Sequence, residues 1–259
     1  MADPNQDISG ILKNWDYDPN TNVRKIVGED GVQKLQVRVD QGAFQGILQL
    51  NLDGRPDGTR PHDAEFVLDH YRESAAAHEA RNRVWRKEED FELDRASCQE
   101  LFDESARVYG RYVFLLQLKE YDRVIRDTER NMTLFEFVHT YASHEDDRQN
   151  LQKWWPYILR IHATARAMLA FEEEKFDESV AILHEAKEKI EELAEVDAEE
   201  FVAEQERSRQ ALDELAEELS SRKPLTRREQ MQKDLEESVA EEDFEKAAQI
   251  RDQLKDLEG

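Results

Sequence analysis

Histidine and carboxylate side chains are the residues of this sequence with the chemistry to bind a metal ion. His62, His70 and His78 are spaced eight residues apart, close to two helical turns, and His139 and His144 precede a run of acidic residues. A metal site needs three or four ligands that converge on one point. Neither group has the spacing of a known metal motif, so we predict no metal site, no catalytic residues and no cofactor.

The motifs of common catalytic and nucleotide sites are absent from the sequence. The chain contains no GxxxxGK[ST] phosphate loop, no CxxC pair, no GxSxG elbow and no HExxH helix. Asp and Glu together number 60, so a carboxylate pair of the glycosidase kind would arise by chance. The single cysteine, Cys98, cannot form an internal disulfide, which is typical of a reducing compartment. We therefore predict a non-catalytic protein.

The charge balance is strongly acidic, with 36 Lys and Arg against 60 Asp and Glu and a net charge of −24. Proteins that bind nucleic acid usually neutralise its phosphates with clustered Lys and Arg, so direct contact with nucleic acid is not expected of the chain as a whole. The best basic cluster comprises Arg222, Lys223, Arg227, Arg228 and Lys233. Either this cluster is a solvated linker and helix start, or it contacts an acidic partner or nucleic acid.

Membrane and export signals are also missing from the sequence. No apolar run approaches the ~20 residues that span a bilayer. The N-terminal MADPNQDISG has no basic region followed by an apolar core, which a secretory signal would need. We expect a cytoplasmic protein that does not contact membranes.

The final segment, Leu225 to Glu258, has the clearest pattern for binding. Apolar residues recur there at three- and four-residue steps on two predicted helices, which makes one apolar stripe. The stripe consists of Leu235, Val239, Phe244, Ala247, Ile250, Leu254 and Leu257. Because Ala247 and Ala248 are small, a facing helix can approach closely. Two short helices bury too little surface to be stable alone, so the stripe should pack on the rest of the chain, on a second copy or on another protein.

The string EEDFEKAAQIRDQL, residues 241–254, resembles the UVR motif, the helical hairpin of the excision-repair proteins UvrB and UvrC. Asp243-Phe244-Glu245, Ala247-Ala248 and Arg251-Asp252 stand where that family has them. The same motif occurs in the Clp-protease partner ClpC and the kinase activator McsA, where it is mainly a docking element. The resemblance implies a bacterial protein whose interface is filled by Phe244, Ala247, Ala248, Ile250 and Leu254, while Arg251, Asp252 and Glu245 set register and specificity.

The resemblance implies a non-catalytic adaptor. Its partner would carry a UVR-type hairpin or a helical groove, or would be a second copy of the chain. Two further roles stay open: an accessory factor of nucleotide excision repair that acts with UvrB or UvrC, and a regulator of a Clp protease or a protein-arginine kinase. The ATPase of UvrB and the zinc sites of McsA are not implied, because their motifs are absent.

Strand signals precede the helical part of the chain. Alternation in residues 23–27, 32–39 and 44–52, with turn residues between them, predicts an antiparallel meander of three strands. Leu35, Val37 and Val39 should share its apolar face. That face needs a cover, which either the following helices, a partner or a second copy supplies, and the sheet edges offer a site for strand addition.

Helical periodicity begins near residue 63. It predicts helices at 63–87, 93–118, 121–141, 145–173, 176–195, 198–221, 226–241 and 243–257. Pro156 either kinks the fourth helix or marks its true start. The helices that begin near Tyr121, Phe176 and Phe244 resemble the second helix of a tetratricopeptide-type hairpin, but the unequal intervals between them exclude a regular repeat.

Four large aromatic residues, Trp85, Trp154, Trp155 and Tyr157, lie on the predicted helices. We expect them in the core, with a groove for a partner helix as the alternative. In all, we predict an α+β, mostly α fold. It comprises a small antiparallel β head at 1–60, a body of stacked tetratricopeptide-like hairpins at 61–221 and a UVR-like helix–loop–helix at 222–259.

Overall fold

The computed structural model describes residues 7–85, 90–224, 227–240 and 243–256, of which 227–229 and 255–256 are described by their backbone alone. It has the predicted α+β, mostly helical architecture, with an antiparallel sheet near the N-terminus and a helical pair at the C-terminus. The chain divides into two compact units, residues 1–216 and 217–259. The predicted three-part division at residues 60 and 221 stays a prediction.

The sheet of the described residues has three antiparallel strands in sequence order, β1 Val23–Val27, β2 Gln33–Gln41 and β3 Phe44–Asn51. Val37 on the central strand pairs with Val23 on one side and with Leu48 on the other. The turn between β2 and β3 contains Gly42 at a φ of 60°, which glycine adopts without steric cost. The predicted meander is therefore confirmed.

Helices cover the apolar face of the sheet, as one of the alternatives predicted. Leu35 and Val37 of β2 and Leu52, which follows β3, are buried in one cluster with residues of the helices. The helical members of the cluster include Val108, Tyr112, Leu115, Val124 and Ile161. Val39, predicted on the same face, is only half-buried. The sheet thus shares its core with the helical body instead of forming a separate core.

The opposite face of the sheet is covered by the N-terminal segment, which contains a short helix, α1 Ser9–Lys13. The guanidinium of Arg38 donates hydrogen bonds to the carbonyls of Leu12, at 2.5 Å, and of Trp15. The guanidinium of Arg24 lies 4.0 Å from the centroid of the Trp15 ring. Nothing local in the sequence of this segment indicates its contact with a strand more than twenty residues later.

The remaining helices follow the predicted order, with one division. They are α2 Val67–Trp85, α3 Arg95–Gln117, α4 Tyr121–Tyr141, α5 Glu145–Asn150, α6 Trp155–Glu172, α7 Phe176–Glu191, α8 Glu199–Arg222, α9 Arg227–Ala240 and α10 Phe244–Asp256. The predicted helix 145–173 is two helices, α5 and α6, separated by a 3-10 turn. Pro156 lies in the first turn of α6, where the N–H that proline lacks would have no partner within the helix. Pro156 therefore marks a helix start.

The expectation of core packing is wrong for two of the four aromatic residues. Trp85, the last residue of α2, is 72% exposed, and Trp154 is 40% exposed. Trp155 packs edge-on against Phe135 with ring centroids 5.7 Å apart. Tyr157 joins the cluster beneath the sheet as a half-buried residue. Helical periodicity identifies which face of a helix is apolar. The exposure of a residue at the end of a helix depends instead on the elements that lie beyond that end.

Within the described residues, α3–α4 and α6–α7 are helical hairpins that close with the same turn. Lys119 and Glu174 follow α3 and α6 and have φ angles of 59° and 63°. The residue after each of them donates its N–H to the carbonyl five residues back. Glu120 donates to Leu115 at 3.0 Å, and Lys175 donates to Ala170 at 2.9 Å. Left-handed backbone with this bond defines the Schellman motif, which satisfies carbonyls at a helix end.

Candidate protein-docking site

The turn between α9 and α10 positions the candidate site. The N–H of Asp243 donates to the carbonyl of Ser238 at 2.8 Å, which is again a bond to the fifth residue back. The side chain of Asp243 then accepts a hydrogen bond from the N–H of Lys246 at 3.1 Å. An Asp at this place caps a helix, and the acidic Glu245 in the first turn suits the helix dipole. The sequence Asp243-Phe244-Glu245 therefore fixes where α10 begins.

The predicted stripe divides into an inner and an outer part. Ala247 is buried, and four other members of the predicted interface are half-buried, namely Leu235, Ala248, Ile250 and Leu254. In contrast, Val239 is 51% exposed and Phe244 is 67% exposed. Leu257 lies outside the described residues. Because α9 and α10 pack against each other, the inner part holds the pair together, and the outer part presents apolar surface next to the turn.

Phe244 differs from the corresponding aromatic residues of the other two hairpins. Tyr121 and Phe176 occupy the same position, directly after the residue that makes the bond to the fifth residue back. Tyr121 is only 5% exposed, and Phe176 is half-buried against Phe171 with ring centroids 5.1 Å apart. Phe244 is thus the exposed member of a set whose other members are covered.

Two further described positions correspond in the three hairpins. Three residues after the aromatic, Val124, Ser179 and Ala247 are all buried. The carbonyl that closes each turn also belongs to a buried residue, which is Leu115, Ala170 or Ser238. The exposure of Phe244 is therefore not the result of a differently rotated helix. Ser238 was not identified from the sequence as a buried residue of the hairpin. The available signal was a small residue inside the apolar face of α9.

The charged residues assigned to specificity are at the surface. Arg251 and Asp252 are both exposed, with Nε and Oδ1 3.8 Å apart. An exposed pair at this distance contributes little stability, so both side chains can change partner at low cost. Glu245 is exposed as well. Their role in register stays a prediction.

The predicted basic cluster is only partly described. The guanidinium of Arg222 forms an ion pair with Glu218, one turn earlier on α8, at 3.1 Å. Lys223 is half-buried. The side chains of Arg227 and Arg228 lie outside the described residues. The acidic neighbour of Arg222 offsets the positive charge on which contact with nucleic acid would depend.

Two of the three evenly spaced histidines lie together. His62 precedes α2 in a 3-10 turn, and its ring stacks on His70 with centroids 4.2 Å apart. Its Nε2 lies 2.8 Å from a carboxylate oxygen of Glu100, and this contact lowers the pKa of Glu100. His78 lies instead beside Phe91. Among the residues that the structure describes, no three His, Cys, Asp or Glu are arranged to hold a metal ion.

Comparison with known proteins identifies the C-terminal segment. Residues 226–259 match the family model of the UvrB/uvrC motif, so the match covers the helical pair and little else. No curated protein and no solved structure matches the chain. In the described part of the chain, no helix has the length and apolar character to cross a membrane. The helical pair α9–α10 therefore belongs to a UvrB/uvrC motif, a class of hairpin that mediates protein interactions.

Proposed function

We propose that this protein is a non-catalytic cytoplasmic adaptor that binds a partner protein through α9 and α10, with Phe244 at the centre of the interface. The exposure of Phe244 carries the proposal, because the corresponding Tyr121 and Phe176 are covered. Transferring a phenylalanine side chain from water to an apolar site gains about 1.5–3 kcal/mol. Aromatic residues of this kind often dominate the energy of an interface.

The partner fits one of two descriptions. Val239 and Phe244 lie on the two sides of the turn, and both are exposed. A second helical hairpin or a helical groove can cover both at once, with Arg251 and Asp252 at the edge. A second copy of this chain satisfies the same requirement, since a self-complementary patch forms a closed pair.

The pathway depends on the partner. One possibility is an accessory role in nucleotide excision repair, through UvrB or UvrC. The other is regulation of a Clp protease or a protein-arginine kinase. The net charge of −24 and the ion pair between Arg222 and Glu218 argue against direct contact with DNA in either case.

Site-specific photo-crosslinking tests the proposal. The crosslinking amino acid p-benzoylphenylalanine is introduced at position 244 in the full chain, in cells of the native organism. The matched control places it at Phe44, which is 61% exposed on β3. We expect a discrete crosslinked species from position 244, identified by mass spectrometry, and none of that mass from position 44.

The identity of the crosslinked protein then selects the pathway or establishes self-association. Crosslinking of the same proteins at both positions would mean that Phe244 is merely accessible. No adduct at position 244 under conditions that crosslink a known complex would contradict the docking role.

A further inference from the structure

An aromatic cavity of about 370 Å³ lies among α3, α4, α6 and α8 in the unit of residues 1–216. Six aromatic residues line it: Phe102, Tyr109, Tyr112, Phe135, Trp154 and Tyr157. The Tyr109 ring meets Tyr112 and Tyr157 edge-on, with centroids 5.5 and 5.6 Å apart. Trp154 and Tyr109 are also among the exposed apolar residues of the chain. The cavity is therefore open to solvent and has rigid aromatic walls.

A buried hydrogen-bond acceptor lies in the lining of this cavity. Asn131 of α4 is almost fully buried, and its Nδ2 donates to the carbonyl of Ser105 at 3.0 Å. Its Oδ1 is buried and receives no hydrogen bond from any residue that the structure describes. Buried polar atoms are nearly always paired in native proteins. This carbonyl oxygen, beside an aromatic cavity, is therefore available to a donor on a molecule bound there.

The two charged residues of the described lining, Glu204 and Arg207, pair with each other. The buried carboxylate of Glu204 accepts hydrogen bonds from Arg160 at 2.9 Å and from Arg207 at 2.7 Å. Burial raises the pKa of Tyr112 and of Tyr157, so both phenols stay protonated at neutral pH. A charged ligand would lose its hydration without gaining an ionic partner.

We propose that this cavity binds a neutral, flat, mostly apolar small molecule that donates one hydrogen bond to Oδ1 of Asn131. The volume lies within the range of small-molecule pockets, which combine apolar walls with a few polar groups. Flat rings pack well against aromatic side chains. A partner helix fits less well, because its backbone N–H groups are already bonded within the helix and only a side chain that enters the cavity could serve the acceptor.

Two probe compounds of nearly equal size test the proposal. Indole is neutral and flat and has one N–H donor, whereas benzofuran has an oxygen in its place. Their dissociation constants for the full chain are measured by ligand-observed NMR titration. We expect indole to bind about 10-fold more tightly than benzofuran, since one extra hydrogen bond to a buried acceptor is worth roughly that factor. Asn131→Leu should abolish this preference.

A second variant locates the binding without changing the core. Ala106 lines the cavity and is exposed, so Ala106→Trp should fill the cavity and leave the fold intact, as checked by circular dichroism. We expect this variant to lose both probes and Ala106→Ser to keep them. Should Asn131→Leu fail to fold, the two probes on the native chain and the Ala106 variants still decide the matter.

Equal affinity for indole and benzofuran, or binding of neither, would overturn the proposal. Unchanged indole binding by Ala106→Trp would overturn it as well. A helical peptide with one tryptophan that binds where free indole does not would assign the cavity to a protein partner instead. These outcomes are independent of the docking role of Phe244.

Discussion

Arg111 is a buried cation that holds three parts of the fold together. It lies on α3 and donates to both carboxylate oxygens of Asp127 on α4, at 2.7 and 2.8 Å. Its remaining nitrogen donates to the carbonyls of Asn51 and Gly54, at 3.0 and 2.6 Å, where the chain leaves β3. A buried ion pair is costly to break, because removal of one member leaves a charge in an apolar environment.

Loss of one member of this pair should be strongly destabilising. We predict that Asp127→Leu lowers the free energy of unfolding by about 3–5 kcal/mol, measured by urea denaturation. The double variant Arg111→Met/Asp127→Leu should recover part of that loss, because no buried charge remains. The control Glu79→Gln breaks the exposed ion pair with Arg83 and should change stability little. A single variant as stable as this control would show that the pair is unimportant.

The thiol of Cys98 is expected to be unreactive in the folded protein. Cys98 is fully buried, and burial raises the pKa of its thiol to about 11. Since the thiolate is the reactive form, we predict that dithionitrobenzoate reacts with native protein at pH 7.5 at least 100-fold more slowly than with protein in urea. Comparable rates in both conditions would show that the thiol is accessible.

His162 should make the fold sensitive to mild acid. Burial lowers the pKa of His162 to about 4, whereas an unfolded histidine titrates near 6.5. Between these values the unfolded chain binds a proton that the folded chain does not, so stability falls as the pH decreases from 6.5 to 4. We predict that urea midpoints of the native chain fall more steeply over this range than those of His162→Gln. Parallel curves would show that His162 does not contribute.

At the scale of the element, the hairpin turns show which features of the fold could be predicted from the sequence and which could not. The similarity around Tyr121, Phe176 and Phe244 was visible in the sequence, and it predicted where the second helices begin. The Schellman geometry was not visible, because Lys119 and Glu174 occupy positions where glycine is the usual signal. Helices with strong periodicity, such as α3 and α4, were placed within a few residues. The N-terminal cover of the sheet was missed because it rests on long-range bonds from Arg38.

The same turns store strain that a single substitution can relieve. Lys119 is exposed, and its left-handed backbone is unfavourable for a residue with a Cβ atom. We predict that Lys119→Gly raises the free energy of unfolding by about 0.5–1 kcal/mol and Lys119→Val lowers it. Thermal melts monitored by circular dichroism measure both. A loss of stability on Lys119→Gly would mean that the lysine side chain contributes more than its backbone conformation costs.

At the scale of the whole molecule, the UvrB/uvrC motif could be recognised from the sequence, but its exposed face could not. Residues 241–254 carry enough of the UVR pattern to be recognised without a structure. Periodicity placed Phe244 and Ala247 on one stripe, yet Ala247 is buried and Phe244 is exposed. Exposure depends on which neighbouring elements reach a side chain, and a periodic pattern contains no information about that.

The affinity of the complex captured at position 244 tests the central claim most directly. The dissociation constant is measured by calorimetry for the native chain, for Phe244→Asp and for the control Phe44→Asp, which changes an equally exposed phenylalanine. We predict that Phe244→Asp weakens the complex at least 100-fold while its helical content is retained, because the interface would bury an unpaired carboxylate. Phe44→Asp should bind like the native chain. Native affinity in Phe244→Asp, or equal losses in both variants, would contradict the assignment of Phe244 as the docking residue.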